Sequence, residues 1–158
     1  MRGLDLLKAS QEKTLFHKEV KQEGLEYCYS NGELYCVILR SSFDSPGVTF
    51  FTPDDFSQQL GYLPCRKGTT IKAHFHLINK REVFYTQEVL FIKKGKVKVN
   101  FYDSDERHVF SEIVERGDFI LLCGGGHGFE MIEDACMIEI KQGPFLGQDD
   151  KRRFKGIE

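Results

Sequence analysis

Hydrophobic and polar residues alternate with a period of two along much of the chain. The clearest example is the segment 96–101, in which Val97, Val99 and Phe101 alternate with polar residues. Side chains of a β-strand point alternately to opposite faces, so this pattern predicts a strand with one buried face and one solvated face. Shorter apolar runs, separated by turn residues, predict further strands over 71–76, 83–92, 109–114, 119–122, 127–131 and 136–140. Because no helical pattern lies between them, an antiparallel sandwich or barrel is predicted.

The N-terminal part of the chain carries one strong local signal. Strand-forming runs over 27–29 and 34–39 flank an Asn31-Gly32 pair, which predicts a β-hairpin because both residues tolerate positive φ. A weaker strand is expected over 58–63. Residues 4–21 show poor periodicity, and we expect a single helical turn there.

Length, charge and cysteine content narrow the class of protein. A chain of 158 residues suits one domain, and its net charge of −2 is spread over interspersed acidic and basic residues. A nucleic-acid binder would show a concentrated basic face, so no nucleic-acid partner is expected, and the short basic tail 151–153 is expected to be solvated. No apolar run approaches the about 20 residues of a membrane helix, and the first residues do not open a signal peptide. Five cysteines without a C-x-x-C pair indicate reduced thiols in a cytoplasmic protein.

Three histidines and one glutamate form a candidate metal site. His74 and His76 are one residue apart on a predicted strand, so their side chains share a face. Glu88 begins the next apolar strand, and His127 follows the glycine run 124–126. Imidazoles and a carboxylate on inward strand faces would suit a divalent transition metal. The alternatives are histidines in a hydrogen-bonded polar core and a rim glutamate paired with Lys or Arg.

The spacing of these residues resembles the first motif of the cupin superfamily. The residues run as Gly68, five residues, His74-x-His76, then Glu88, six residues and Gly95. The eleven residues between His76 and Glu88 exceed the usual gap of that motif, so we expect this insertion to bulge out as a loop.

The insertion leaves two candidate carboxylates. Glu82 lies closer to the usual spacing and is the rival ligand. We favour Glu88, because only Glu88 has the matching distance to Gly95.

A second stretch resembles the second cupin motif. Gly117-Asp118 precedes an apolar strand, a glycine turn and His127, although the proline that usually precedes this histidine is missing. The resemblance implies a double-stranded β-helix, the cupin jelly-roll barrel, as one domain over 1–158. The barrel core would cover about 50–142, with an N-terminal β-hairpin extension in 1–49. In metal-binding cupins the matched positions are the ligands, which here are His74, His76, Glu88 and His127.

The C-terminal segment carries a further resemblance. Residues 137–145, followed by Asp150-Lys151, are similar to the end of a cupin metalloprotein family found with bacterial O-antigen and surface-polysaccharide genes. By association, this resemblance implies a ligand that is a small carbohydrate or sugar nucleotide. Cupins also commonly pair through their sheets, which implies a homodimer.

Strand parity suggests further site residues. Lys72 would share a face with the paired histidines, Glu139 and Lys141 share a face of the last strand, and Tyr85 and Gln87 approach the glutamate in sequence. We expect Lys72, Tyr85 or Glu139 to act as a catalytic acid–base group, and Gln87 and Lys141 to contact the substrate. The alternative for all five is an outward position with a solvated head group.

The resemblance and the ligand types together suggest a reaction. Zn, Fe, Ni and Mn all suit imidazole and carboxylate ligands, and such an ion would act as a Lewis acid on a hydroxy-carbonyl substrate. A metal-dependent sugar isomerase or epimerase is therefore the leading hypothesis. An Fe(II)-dependent dioxygenase and a non-catalytic sugar-binding or regulatory cupin remain alternatives.

Overall fold

A computed structural model describes residues 15–157 and shows an all-β chain whose strands pair antiparallel. The predicted fold class is therefore confirmed at that level. The strands are β1 (Phe16–Gln22), β2 (Leu25–Ser30), β3 (Glu33–Leu39), β4 (Thr49–Phe50), β5 (Gly61–Tyr62), β6 (Glu88–Lys94), β7 (Lys96–Tyr102), β8 (His108–Glu115), β9 (Phe119–Leu122), β10 (Gly126–Met131) and β11 (Cys136–Lys141). A short 3₁₀ turn follows at Gly147–Asp150. No helix of the described part is long and apolar enough to cross a membrane.

Two sheets face each other and a small hairpin packs outside them. The larger sheet has the order β1-β2-β3-β9-β6-β11, and the smaller has the order β10-β7-β8. From β6 onward the chain crosses repeatedly between these sheets, since β6, β9 and β11 belong to one and β7, β8 and β10 to the other. Within residues 15–157, β10 and β11 end their sheets with unpaired edges, so backbone pairing does not close a barrel.

The main core lies between the two large sheets. Val97, Val99 and Phe101 of β7 are fully buried and pack with Leu90 and Ile92 of β6. This arrangement confirms the predicted buried face of the segment 96–101. Apolar burial on this scale is the main stabilising term of such a sandwich.

A second core covers the outer face of the larger sheet. Val37, Val89 and Leu121 point outward from adjacent strands and are buried under Phe43 and Phe51. The loop that contains β4 and β5 carries these two aromatic residues, whose rings meet edge to face at a centroid distance of 5.1 Å.

The predicted N-terminal hairpin is confirmed. Asn31 and Gly32 adopt φ values of 49° and 82°, as the tight turn between β2 and β3 requires. β3 also pairs with β9 along residues 36–39, so the hairpin belongs to the larger sheet.

Asp118, which was singled out with the second motif, has a structural role. Its buried carboxylate accepts hydrogen bonds from the Ser41 backbone N–H at 2.9 Å, the Glu115 backbone N–H at 3.1 Å and the Arg40 guanidinium at 3.0 Å. These bonds join the end of β3 to the turn between β8 and β9.

Three local predictions were wrong. A strand replaces the expected helical turn over residues 15–21, while residues 4–14 lie outside the described part. The strand expected over 58–63 is limited to Gly61–Tyr62. Residues 71–76 form no strand, and the strand expected from 83 begins at Glu88. The alternating pattern of 71–76 favours a strand, but a strand also needs a partner edge, and no described segment pairs with it.

Gly95 and Gly32 allow a matched test of how closely the turns pack against the rest of the chain. Both have positive φ, 81° and 82°. A Cβ at Gly95 would collide with the backbone of Asp134 and Ala135, whereas a Cβ at Gly32 would meet nothing within 4 Å. We expect Gly32→Ala to lower the free energy of unfolding by about 1–2 kcal/mol, and Gly95→Ala by about 3 kcal/mol or more. Urea unfolding measures both, and equal losses would contradict the close packing at Gly95.

Candidate functional site

Glu88 and His127 meet at one end of the main core. Glu88 opens β6, and the apolar residues that follow hold this strand in the interior, so the carboxylate is only 4% exposed. The glycine run connects β9 to β10, and the His127 side chain lies on the core-facing side of β10. His127 Nε2 lies 3.1 Å from Glu88 Oε2, and this contact joins the two sheets.

Two lysines also approach the buried carboxylate. Lys151 Nζ donates a hydrogen bond to Glu88 Oε1 at 3.1 Å, and Lys141 Nζ lies 3.8 Å from the same oxygen. The hydrogen bond from His127 and then that from Lys151 outweigh burial and lower the pKa of Glu88 from about 4.5 to about 2. The carboxylate is therefore ionised at neutral pH.

The contact with Glu88 determines which ring nitrogen of His127 carries the hydrogen. Because Nε2 faces an ionised carboxylate, Nε2 carries the hydrogen and donates it to Glu88. In the neutral ring Nδ1 is then a proton acceptor. The ring of Phe129, at a centroid distance of 5.5 Å, packs beside the imidazole.

A cleft opens beside this pair. A cavity of about 220 Å³ is lined by Thr86, Glu88, Gly125, Gly126, His127, Asp150, Lys151, Arg152 and Phe154. A larger cavity of about 540 Å³ adjoins it, since Gly125, Gly126, Arg152 and Phe154 line both. Together the two cavities form a cleft with both polar and apolar walls.

The C-terminal segment forms one wall of this cleft, which the sequence reasoning missed. The tail 151–153 was expected to be solvated, but Lys151 pairs with Glu88 and the Phe154 ring packs against Tyr102 at a centroid distance of 5.1 Å. The Ile157 backbone N–H donates to the Tyr102 hydroxyl at 3.1 Å and holds the end of this segment. The sequence signal that could have indicated this role is the resemblance of the C-terminal segment to a cupin metalloprotein family, since the matched residues include Asp150-Lys151.

The four expected metal ligands do not come together within one chain. His74 and His76 lie near each other, with ring centroids 5.3 Å apart, but in an exposed segment away from Glu88 and His127. Among residues 15–157, no group of three or more His, Cys, Asp or Glu side chains is placed to hold a metal ion. Glu88 and His127 alone are fewer donors than a transition-metal site uses. Metal binding by the full set stays a prediction.

The two rival carboxylates occupy different environments. Glu82 is exposed and pairs with Lys80 at 3.0 Å, whereas Glu88 is buried against His127. Of the two, only Glu88 belongs to the cleft.

The remaining predicted site residues divide into two groups. Lys141 lies beside Glu88, and Glu139 pairs with Lys141 at 3.3 Å. Gln87 is buried, and its Oε1 has no hydrogen-bond partner among the described residues. Lys72 and Tyr85 are exposed and do not line the cleft.

Cys123 lies at the same end of the fold. Burial raises the pKa of its thiol to about 12, so the group stays protonated and is a poor nucleophile at neutral pH.

Comparisons of the chain with family models, curated proteins and solved structures found no match.

The ionised state of Glu88 predicts a pH-dependent effect on stability. Its pKa of about 2 lies below the unfolded value near 4.5, so its stabilising contribution is complete above pH 4.5 and is lost as the pH falls towards 2. We expect Glu88→Gln to lower the free energy of unfolding by about 1–2 kcal/mol at pH 7, allowing for solvent screening, and to have little effect near pH 2.

Glu130→Gln is the matched control for this experiment. Glu130 pairs with Lys98 at 2.9 Å on the surface, and its replacement should change stability by less than about 0.5 kcal/mol. Urea unfolding at several pH values measures both variants. A loss for Glu88→Gln that is independent of pH would contradict the ionised pair.

Proposed function

We propose that the chain is a cupin-type jelly roll. The support is that the chain from β6 to β11 crosses repeatedly between two facing antiparallel sheets, and that the cleft lies between those sheets at one end of the core. The two motif-like stretches contribute Glu88 and His127 to the same cleft. The first motif's paired histidines lie outside it.

The cleft suits a small carbohydrate ligand. Its polar wall offers both acceptors and donors, namely the Glu88 carboxylate and the Lys151 and Arg152 side chains. The Phe154 ring supplies an apolar surface for the C–H face of a sugar ring. Cavities of about 220 and 540 Å³ provide room for a monosaccharide with a substituent.

The arrangement at His127 supports proton transfer on such a ligand. Nδ1 would take a proton from the carbon next to a sugar carbonyl, while the electron pair left on that carbon shifts to the carbonyl oxygen. The ammonium of Lys151 would stabilise the resulting enediolate oxygen. Isomerisation is complete when His127 returns the proton to the former carbonyl carbon, the former carbonyl oxygen gains a proton, and the hydroxyl on the first carbon loses its proton to become the new carbonyl. No redox partner is needed.

One observation favours this proposal over the alternatives. A buried, ionised carboxylate orients an imidazole in the wall of a cleft, with a lysine on the carboxylate's other oxygen. A purely structural ion pair would not need to line a cavity. The function that we propose is therefore a sugar isomerase or epimerase that acts on a small carbohydrate or sugar nucleotide.

Binding and exchange measurements test the proposal. We expect monosaccharides or nucleotide sugars to bind in calorimetric titrations, and the wild-type protein to exchange a carbon-bound proton of a bound keto sugar in D₂O. His127→Gln should slow this exchange about 100-fold or more, because it removes the base. Proton NMR measures the rate.

His108→Gln is the matched control. His108 is an exposed histidine that contacts Ser111 on β8, so its replacement should leave exchange unchanged. Binding without exchange by the wild-type protein would favour a non-catalytic sugar-binding protein, and the absence of any binding would overturn the proposal.

A further inference from the structure

The larger of the two cavities in the cleft has polar groups in its wall that lack a partner within the described part of the chain. Ser30 and Tyr35 line this cavity and are only 1% and 4% exposed. The Ser30 hydroxyl has no hydrogen-bond partner among the described residues, and the Tyr35 hydroxyl bonds to none of them either. Because buried polar groups are ordinarily hydrogen-bonded, two such hydroxyls in one cavity wall indicate a ligand that bonds to them.

Tyr35 lies where the two cavities meet. Gly125 lines both cavities, and a Cβ at this position would collide with the Tyr35 ring, so the glycine allows the ring to lie directly against the cleft wall. The ring also packs edge to face against Phe101 and Phe110 of the main core. These contacts hold the Tyr35 side chain in a fixed position beside the cleft.

Three carboxylates line the same cavity, and basic side chains pair with two of them. Asp103 accepts a hydrogen bond from the Arg107 guanidinium at 2.9 Å, and Glu106 pairs with Arg152 at 3.1 Å. The third carboxylate, that of Glu33, pairs with no basic side chain among the described residues. The larger cavity therefore has one negative charge without a counter-charge.

The uncompensated charge of Glu33 lies near the Tyr35 hydroxyl. Both residues belong to β3, and their spacing of two places their side chains on the same face of the strand. Burial raises the pKa of Tyr35, and the charges of Glu33 and Asp103 raise this pKa further, so the hydroxyl keeps its proton at neutral pH. A ligand that meets both groups needs a positive charge for the carboxylate and an acceptor for the hydroxyl.

The charges of the whole cleft disfavour a phosphate group. Besides the His127 imidazole, five carboxylates but only two basic side chains line its two cavities, namely Glu33, Glu88, Asp103, Glu106 and Asp150 against Lys151 and Arg152. Each of the two basic side chains already pairs with a carboxylate. A pyrophosphate would therefore be repelled from the cleft, whereas an ammonium group would be attracted.

We propose that the larger cavity binds an amino sugar, as one unit of the carbohydrate on which the proposed isomerase acts. The Glu33 carboxylate accepts hydrogen bonds from the ammonium group, and the Ser30 and Tyr35 hydroxyls bond to hydroxyl groups of the same sugar. The ring of Phe154, which lines both cavities, supplies an apolar surface for the sugar ring. This inference rests on the proposed carbohydrate cleft, and it names the charged substituent that the larger cavity selects.

Titrations with matched sugars test the role of the ammonium group. Glucosamine and glucose differ by an amino group in place of one hydroxyl, and at about pH 6.5 such an amine is protonated. We expect glucosamine to bind about fivefold more tightly than glucose, as for a partly exposed ion pair. UDP-glucose, which carries a pyrophosphate, should bind more weakly than glucose. Chemical-shift titration by NMR measures the three affinities.

The outcomes of these titrations separate the two proposals. Equal binding of glucosamine and glucose, or tightest binding of UDP-glucose, would overturn the amino-sugar site and leave the proposed carbohydrate function standing. The absence of binding by all three ligands would overturn both.

Glu33→Gln tests which group selects the amine. The variant should bind glucosamine about fivefold more weakly than the wild-type protein and glucose equally well. Glu23→Gln is the matched control, because Glu23 is also an exposed carboxylate at a hairpin turn but lines neither cavity. A preference for glucosamine that survives Glu33→Gln would contradict the assignment.

Ser30→Ala and Tyr35→Phe test the two buried hydroxyls. Each variant removes a hydroxyl that bonds to no described residue, so neither should lower the midpoint of urea unfolding. Each should weaken the binding of both sugars by about 3–10-fold, the loss expected for one hydrogen bond. Lower stability together with unchanged sugar binding would show that these hydroxyls serve the fold alone and would contradict the proposal.

Discussion

The site depends on the burial of one charged group, the Glu88 carboxylate, at the end of an apolar core. Burying a carboxylate costs several kcal/mol unless other groups pair with it. Three separate parts of the chain meet this need, because β10 supplies His127, β11 supplies Lys141 and the C-terminal segment supplies Lys151. The charge at position 88 thus helps to hold the C-terminal segment in place, and this segment in turn forms a wall of the cleft.

Asp118 shows how a buried carboxylate looks when its role is structural. Its oxygens are occupied by two backbone N–H groups and the Arg40 guanidinium, and it lines none of the cavities described here. Burial lowers the pKa of the Arg40 guanidinium, but its hydrogen bonds to Glu26 and Asp118 outweigh burial and raise it, so that the pair stays charged. Glu88 differs because side chains on three different segments surround it and a cavity opens beside it. Both carboxylates are buried and paired, but only Glu88 is placed to meet a ligand.

The elements that could be predicted from the sequence are those whose pattern and partner are both local. The alternation of Val97, Val99 and Phe101 and the Asn31-Gly32 turn each define a strand or hairpin that pairs with its chain neighbour, and both predictions are confirmed. Motif spacing predicted Glu88 and His127 as ligands of one metal ion, and the structure places the two side chains in direct contact. Metal binding stays a prediction. The contact of Lys151 with Glu88 joins residues 63 apart in sequence, and no periodicity encodes it.

The segment 71–76 fails as a predicted strand for a different reason. Its alternation is as regular as that of β7, but a strand is stable only when a neighbouring edge satisfies its backbone. In β7 that edge comes from β8 and β10 of the same chain. Residues 71–76 find no such edge among the described residues, so their alternating pattern alone does not produce a strand.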